Sequence, residues 1–276
     1  NNRLKVSADL FFENRKDILI KRKTIPIFTD LNSDIMPVVN MGQVKNHGYE
    51  VDIKWEDRIK GDFHYYINAN VSYSKNKIIF QDEIEPNETY LWRTGQPVGS
   101  IFGYVADGFY GEEDFTNGGV LKDGLPVPDA DVQPGDIKYK DVNGDGIING
   151  SDEVAIGATT KPNLIYGFGI SAQWKGFDFN AHFQGAGKSS FFINGPTVYA
   201  FNGSQWGNVL TNLVKDRYVD AETAATLGIP ANENPNASYP RLSYGGNDNN
   251  YRASTYWLRD GSYLRLKTLE VGYTLP

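Results

Sequence analysis

Alternation of apolar and polar residues over long stretches is the feature that most constrains how this sequence can fold. Apolar residues occupy every second position in six stretches, with mostly polar or small residues between them. Successive side chains of a β-strand point to opposite faces, so a period of two predicts strands with one apolar and one polar face. The six stretches are 4–12, 49–55, 63–73, 164–174, 177–183 and 269–275.

Near the end of the sequence the alternation changes phase around Lys267. Leu264 and Leu266 lie on the opposite parity from Leu269 and Val271. One extra residue in a strand produces such a shift, so the sequence predicts a β-bulge or a change of environment there.

Several of the stretches are longer than the strands of most soluble proteins, which have about five or six residues. Aromatic residues lie near the ends of the apolar faces, at Tyr65 and Tyr73 in one stretch and at Tyr166 and Trp174 in another. Long strands with one apolar face, one polar face and aromatic ends are typical of transmembrane β-barrels. The expected fold class is therefore all-β, as part of a large antiparallel transmembrane β-barrel, with a soluble β-sandwich as the alternative.

The connections between these stretches alternate in length. Short turns are predicted at 57–61 and at Lys175-Gly176, where a glycine suits a two-residue hairpin. Long connections are predicted at 15–46, 76–161 and 188–261, and the last of them contains a predicted helix over 216–229. Outer-membrane barrels have short periplasmic turns and long extracellular loops, so the long connections are assigned to the extracellular side.

Composition excludes several classes of protein. The net charge of −7 argues against a nucleic-acid partner, because binding nucleic acid requires a basic surface. The sequence has no run of 18 apolar residues, so no transmembrane helix is expected, and without cysteine it has no disulfide framework or thiolate chemistry. It opens on Asn1 with a strand already in progress, which predicts a fragment of a longer chain.

The stretch DVNGDGIINGSDE at 141–153 has the spacing of a calcium-binding loop. Ca²⁺ prefers six to eight oxygen ligands, and such loops place them at positions 1, 3, 5, 7 and 12, with glycine at position 6. No paired helices are predicted around it, so the ion is expected to stiffen a long loop; a metal-free Asx turn is the alternative. The predicted ligands are the side chains of Asp141, Asn143, Asp145 and Asp152 and the carbonyl of Ile147.

Position 12 departs from the usual pattern, because the shorter Asp152 replaces a bidentate glutamate. Behind the loop, Ile148 at position 8 is expected to pack inward.

Aromatic side chains interleaved with Asn and Gly fill the connection at 188–261. Such a mixture suits stacking on sugars or gripping peptides, but buried aromatics more often serve packing or interfaces. Packing is therefore favoured, and no substrate-binding residue is assigned. The aromatics are Tyr199, Phe201, Trp206, Tyr239, Tyr244, Tyr251, Tyr256 and Trp257.

Three other patterns resemble functional motifs but lack the context that each requires. GKSS at 187–190 follows a strand and lacks the first glycine of a phosphate-binding loop. The histidines His47, His64 and His182 lie on different strands without zinc spacing. The acidic pairs at 112–113 and 152–153 are adjacent in sequence, whereas glycosidase carboxylates are paired in space. No catalytic residue is assigned, and the protein is not expected to be an enzyme.

Four segments together resemble the C-terminal part of the SusC/RagA-type TonB-dependent outer-membrane transporters of Bacteroidota. In order they are NMGQVKNHGYEVDIKW, GDIKYKDVNGDGIINGSDEVAIG, PNLIYGFGISAQWKGFDF and YLRLKTLEVGYTLP. The resemblance implies a 22-stranded barrel, of which residues 1–276 supply roughly six strands with the excursion 76–161 and the extracellular loop 188–261. The plug domain and the TonB-contacting segment would lie outside this chain, and the family's calcium loop maps onto the ligands named above.

The same resemblance implies a function in nutrient uptake. The full protein would import oligosaccharides or oligopeptides across the outer membrane, with a SusD-like lipoprotein over its mouth and energy delivered through TonB. Outer-membrane lipid would surround the barrel, and transporter–lipoprotein pairs would form a homodimer. The alternatives are a soluble secreted calcium-stabilised β module that binds carbohydrate and a secreted glycoside hydrolase, whose catalytic carboxylates have no candidate here.

Overall fold

A computed structural model describes residues 3–24, 36–59, 61–195, 198–201 and 207–275. Within them are fourteen strands: β1 Leu4–Lys21, β2 Val38–Ile59, β3 Phe63–Phe80, β4 Phe102–Gly103, β5 Ala106–Phe109, β6 Val127–Pro128, β7 Ile137–Tyr139, β8 Ile147–Ile148, β9 Val154–Ala155, β10 Leu164–Trp174, β11 Phe177–Gly187, β12 Ser190–Phe192, β13 Leu258–Asp260 and β14 Tyr263–Tyr273. The helices are α1 Thr211–Asp216 and α2 Ala221–Leu227. None of the helices in these ranges is long and apolar enough to cross a membrane.

Six long strands form one antiparallel sheet in the order β1-β2-β3-β10-β11-β14. The all-β prediction and the prediction of roughly six strands are confirmed. The hairpin at Lys175-Gly176 is also confirmed, since both residues have positive φ, 46° and 85°, as a type I′ turn requires.

The predicted connection at 15–46 is wrong in extent. Strands β1 and β2 have 18 and 22 residues and continue pairing up to Lys21 and Val38, so the connection spans only 22–37. Backbone hydrogen bonds hold this extension together, although its side chains no longer alternate cleanly between apolar and polar. The other two long connections are close to their predicted ranges, at 81–163 and 188–262.

The ladder places the apolar residues of neighbouring strands in shared rows on one face. Leu10 and Phe12 of the edge strand β1 are 77% and 84% exposed, so this face is not covered by any described part of the chain. Rows across β2, β3 and β10 are Tyr49–Tyr73–Leu164, Val51–Val71–Tyr166, Ile53–Ala69–Phe168 and Trp55–Ile67–Ile170.

The predicted change of phase around Lys267 is a β-bulge. His182 pairs with Thr268 and the next residue, Phe183, pairs with Leu266, so Lys267 has no partner of its own. The bulge brings Leu264 and Leu266 onto the same apolar face as Leu269 despite their opposite parity.

The two long connections at 81–163 and 188–262 pack together into one body, here called the loop body. Tyr104 joins them, since its N–H donates to the Ala253 carbonyl at 2.9 Å and its carbonyl accepts from Thr255 N–H at 2.9 Å. Residues from both connections form its hydrophobic core, which comprises Tyr104, Phe109, Ile137, Tyr139, Ile148, Tyr218 and Trp257.

The predicted helix over 216–229 is shorter than expected. Residues Arg217 and Val219 form β-bridges instead, with Tyr239 and Asn232. Helix α2 then begins after Asp220, whose carboxylate accepts from Thr223 N–H at 2.7 Å as an N-cap.

Candidate functional site

The second face of the sheet is polar and internally hydrogen-bonded. His64 Nε2 lies 2.9 Å from Glu56 Oε1 across β2 and β3. Further along the sheet, Asn180 accepts from Ser171 Oγ at 2.9 Å and donates to Glu270 at 3.2 Å. One face of the sheet is therefore apolar and exposed. The other face is polar, and side-chain hydrogen bonds connect its strands.

Glycines in β10 make room for the polar side chains of this face. A Cβ at Gly169 would lie 2.8 Å from Asn68 Oδ1 and 2.9 Å from His182 Nδ1. The amide and the imidazole thus lie directly over the backbone of β10, where a glycine leaves room for them.

The predicted calcium loop at 141–152 lies between strands β7 and β9 and ends in a 3₁₀ turn, Gly150–Asp152. Both oxygens of Asp141 accept backbone N–H groups, from Gly144 at 2.7 Å and Gly146 at 2.8 Å. Asp145 Oδ1 accepts from Ile147 N–H at 2.8 Å. The absence of helices on either side within 137–155 agrees with the sequence prediction, and Ile148 is fully buried behind the loop as expected.

Asp152 is fully buried and ties the two ends of the loop together. Its Oδ1 accepts from Val142 N–H at 2.7 Å and its Oδ2 accepts from Asn149 N–H at 2.9 Å. Each carboxylate oxygen has two acceptor sites, so these bonds leave lone pairs free for a cation.

The donor chemistry of the loop suits a hard cation, but its side chains do not converge on one point. Asp152 accepts from Val142 N–H, Asp141 from Gly146 N–H and Asp145 from Ile147 N–H, so these three carboxylates lie around one short turn. None of the three forms an ion pair with any described residue. Across the described ranges, however, no group of three His, Cys, Asp or Glu side chains is arranged to hold a metal.

The loop is connected to a cleft in the loop body. Val127 N–H donates to the Gly146 carbonyl at 2.9 Å, and Asp129 N–H donates to the Ile148 carbonyl at 3.1 Å, which makes β6 parallel to β8. The Asp129 carboxylate in turn pairs with Arg252. Both side chains line a cleft of about 940 Å³, with Asp131, Arg241, Tyr244, Asn247 and Asn249 among the other lining residues.

In the cleft wall, the buried atoms Asn249 Oδ1 and Arg252 Nη1 have no hydrogen-bond partner among the described residues. A third atom of the wall, Arg241 Nε, has only its ion pair with Asp136. Buried polar groups are normally satisfied, so this wall offers an acceptor and a charged donor to water or to a ligand. Sequence reasoning missed the cleft, because its residues come from segments more than 100 positions apart.

Most aromatics predicted in the connection 188–261 pack within the loop body. The Trp257 side chain is 2% exposed, and the rings of Tyr199 and Tyr251 stack with centroids 4.0 Å apart. Tyr244 is the exception at 68% exposure, and it lies at the cleft. Trp206 lies outside the described residues.

The histidines do not come together. His64 and His182 lie on the polar face, and His47, two residues before Tyr49 on β2, lies on the other face.

No family model matches the chain, but sequence and structure comparisons find relatives over its whole length. It is 28% identical to TonB-dependent receptor P3 of Formosa agariphila over 288 residues, covering all of this chain and 26% of the relative. It is 22% identical to the TonB-dependent receptor SusC of Bacteroides thetaiotaomicron, covering 99% of this chain and 24% of SusC.

Among solved structures, a chain of the RagAB peptide transporter superposes on the whole chain with a TM-score of 0.68 at 19% identity, covering 27% of that chain. The "open-open" state of the RagAB peptide importer gives 0.65 at 20% identity. The chain therefore spans about a quarter of the length of the relatives that it matches.

Proposed function

We propose that this chain, a homologue of the SusC/RagA-type TonB-dependent receptors over its whole length, supplies part of the barrel wall and of the extracellular mouth of an outer-membrane importer. The observation that carries the proposal is the two-faced sheet of six long strands. Its exposed apolar face suits lipid, and its hydrogen-bonded polar face suits a water-filled lumen. A soluble β module would bury the apolar face, which no described part of the chain covers.

The two ends of the sheet support an orientation of this wall in the membrane. The turns at Gly61–Asp62 and Lys175-Gly176 lie at one end, and the loop body lies at the other. Aromatic residues follow the short-turn end of the apolar face, in the row Phe63–Trp174–Phe177–Tyr273. Aromatic girdles mark the membrane interfaces of such barrels, so this row belongs at the periplasmic interface and the loop body lies outside the cell.

The proposed cargo is an oligosaccharide or an oligopeptide. Support comes from the loop body, whose cleft combines amides, an exposed tyrosine and the paired charges of Arg252 and Asp129. Amide and aromatic groups suit sugars and peptide backbones alike. A SusD-like lipoprotein would deliver the cargo to this mouth, and TonB would act through a region outside this chain.

We also propose that Ca²⁺ binds the loop at 141–152 through Asp141, Asn143, Asp145, Asp152 and the carbonyl of Ile147. Support comes from three carboxylates that lie around one short turn without a cationic partner in the described ranges. An ion there would neutralise them and draw the side chains together. Through β6 and Asp129, the same loop stabilises one wall of the cleft.

An uptake assay in the native host tests the importer. A strain that lacks the full-length gene is compared with its complemented strain for uptake of defined oligosaccharide and oligopeptide mixtures, with a strain lacking TonB as the control. We expect one class of cargo to be taken up only when both the gene and TonB are present. Equal uptake in all strains, across both classes, would refute the proposal.

Calorimetry on the full-length protein tests the calcium site. Asp141→Ala and Asp145→Ala are expected to weaken Ca²⁺ binding at least about tenfold, because each removes a charged oxygen ligand. Asp131→Ala removes an exposed acid of the cleft and serves as the matched control. Binding of wild-type strength in both loop variants would show that the ion, if bound, lies elsewhere.

A further inference from the structure

We infer that a lysine-lined cleft at the upper edge of the apolar face binds the phosphate of a glycolipid headgroup in the outer leaflet of the membrane. This inference rests on the proposed function, since it requires the apolar face to lie in lipid. Its elements are Lys75 and Lys77 at the end of β3 and Lys188 just after β11.

The lysines of β3 continue the lipid-facing rows beyond the last aromatic pair. Tyr49 pairs with Tyr73, and their ring centroids lie 5.6 Å apart. Two residues further along, His47 pairs with Lys75, and two further still Lys45 pairs with Lys77. Because side chains two apart share a face, the outward face changes from apolar through aromatic to basic towards the loop body.

Lys188 reaches the same place from the other side of β10. Its backbone adopts a left-handed conformation with φ of 55°, and its ammonium lies 4.8 Å from the centroid of the Tyr73 ring. A cation over the face of a tyrosine is electrostatically favourable, so the ring holds this ammonium at the top of the apolar face.

The three lysines line one cleft of about 550 Å³, which contains no acidic residue. The other lining residues include the polar Asn76, Gln96 and Asn163 and the apolar Ile101 and Ala158. Within the described ranges, no carboxylate lies within 4 Å of these three ammonium groups. A concentration of unpaired positive charge is notable in a chain whose net charge is −7.

The position of the lysine-lined cleft and its positive charge together indicate which ligand it binds. The cleft lies where the apolar face ends, at the level of lipid headgroups on the extracellular side. Lysine binds phosphate as a point charge, and basic residues next to a membrane favour anionic lipids. The mixed polar and apolar lining suits the sugar and the acyl root of a phosphorylated glycolipid better than it suits a free ion.

Native mass spectrometry of the full-length protein in detergent tests the inference. The probes are lipid A that carries a phosphate and the same lipid A after enzymatic removal of the phosphate. The test variant is Lys75→Gln/Lys77→Gln/Lys188→Gln. The matched control, Lys5→Gln/Lys175→Gln/Lys215→Gln, removes the same charge from exposed positions away from the cleft.

We expect the cleft variant to bind phosphorylated lipid A roughly 100-fold more weakly than the wild type, while the control variant binds it normally. The dephosphorylated lipid should bind the wild type as weakly as the phosphorylated lipid binds the cleft variant. Equal binding of the two lipids, or wild-type binding by the cleft variant, would overturn the inference. Complete competition by excess inorganic phosphate would overturn it too, and would assign the cleft to a free anion.

The same samples distinguish failure of the importer proposal from failure of the lipid-site inference. A protein that leaves the cell envelope without detergent would refute membrane insertion itself. A detergent-dependent protein that transports its cargo but ignores the lipid phosphate would refute only the lipid site.

Discussion

At the scale of single residues, Asp136 is the centre of a buried polar network in the loop body. Its side chain is fully buried and pairs with Arg241 at 2.8 Å. It also accepts from Asn247 at 2.9 Å, from Asn250 at 2.8 Å and from Gln133 N–H at 2.8 Å. The network joins the excursion 81–163 to the connection 188–262 through charge-assisted bonds.

Replacing Asp136 by alanine is expected to loosen this junction by about 3–5 kcal/mol, because it leaves the Arg241 charge without its partner. Hydrogen exchange on the full-length protein measures the loss, as faster exchange at residues 133–139 and 241–250. Asp131→Ala removes an exposed carboxylate a few residues away and should leave the exchange unchanged. Equal protection in both variants would contradict the role assigned to Asp136.

Asp82 fastens the segment after β1 to the end of β3. Its carboxylate accepts from Lys23 N–H at 2.7 Å and from Thr24 Oγ1 at 2.6 Å. The hydrogen bond from Thr24 holds the pKa of this carboxyl below its usual value. The carboxylate therefore stabilises the attachment above the unfolded pKa of about 4, and this stabilisation is lost as the pH falls through the lower folded pKa.

Amide exchange at Lys23 and Thr24, corrected for intrinsic rates, should accordingly be slow at neutral pH and accelerate below about pH 4. In Asp82→Asn the acid-dependent component should disappear, since the amide does not titrate. Protection in the wild type that does not change with pH would show that the carboxylate is not what holds the segment.

At the scale of elements, β10 and β11 depend on glycines that face aromatic neighbours. Gly185 lies opposite Tyr166, and a Cβ at Gly185 would overlap the Tyr166 ring. The tyrosine thus covers the glycine on the apolar face of the sheet, which restricts both the rotamer of the ring and the pairing of the two strands.

Gly185→Ala is expected to destabilise the six-stranded sheet by about 1–3 kcal/mol, because the ring must leave its position. The matched variant is Gly187→Ala on the same strand, where the nearest atom to a new Cβ would be Leu164 Cδ2 at 3.4 Å. The free energies of unfolding of the two full-length variants are compared by urea unfolding in vesicles. The interpretation fails if the two variants lose equal stability.

The faces of the strands could be predicted from sequence, while their lengths and the contents of the loop body could not. Alternation at 63–73 and 164–174 predicts which side chains share the apolar face, and the bulge at Lys267 follows from a change of parity. Residues such as Lys45 are paired in the strand through their backbone, which leaves no periodic signal in the sequence. The Asp136 network and the lysine cleft join residues that are distant in sequence, so local patterns do not reveal them.

At the scale of the whole molecule, the orientation of the sheet makes a prediction that a soluble protein would not share. Ile170→Arg places a charge in the middle of the apolar face, and we expect it to lower stability by about 2–4 kcal/mol in a bilayer. Gln173→Arg, three residues along the same strand, faces the polar side next to Asp178 and should be tolerated. For both variants, the fraction of full-length protein that stays folded is measured on detergent gels with samples that have not been heated.

The loop body has a consequence for how relatives of this protein can diverge. Its hydrophobic core and its polar network both draw on two connections that are separated in sequence by the hairpin of β10 and β11. A recombinant protein in which only one connection was replaced would keep only half of the original hydrophobic core and half of the ion-pair network. The two connections are therefore expected to be exchanged as one cassette, and chimaeras should keep the hairpin between them. New forms of the loop body would then arise by exchange of both connections together rather than of single loops.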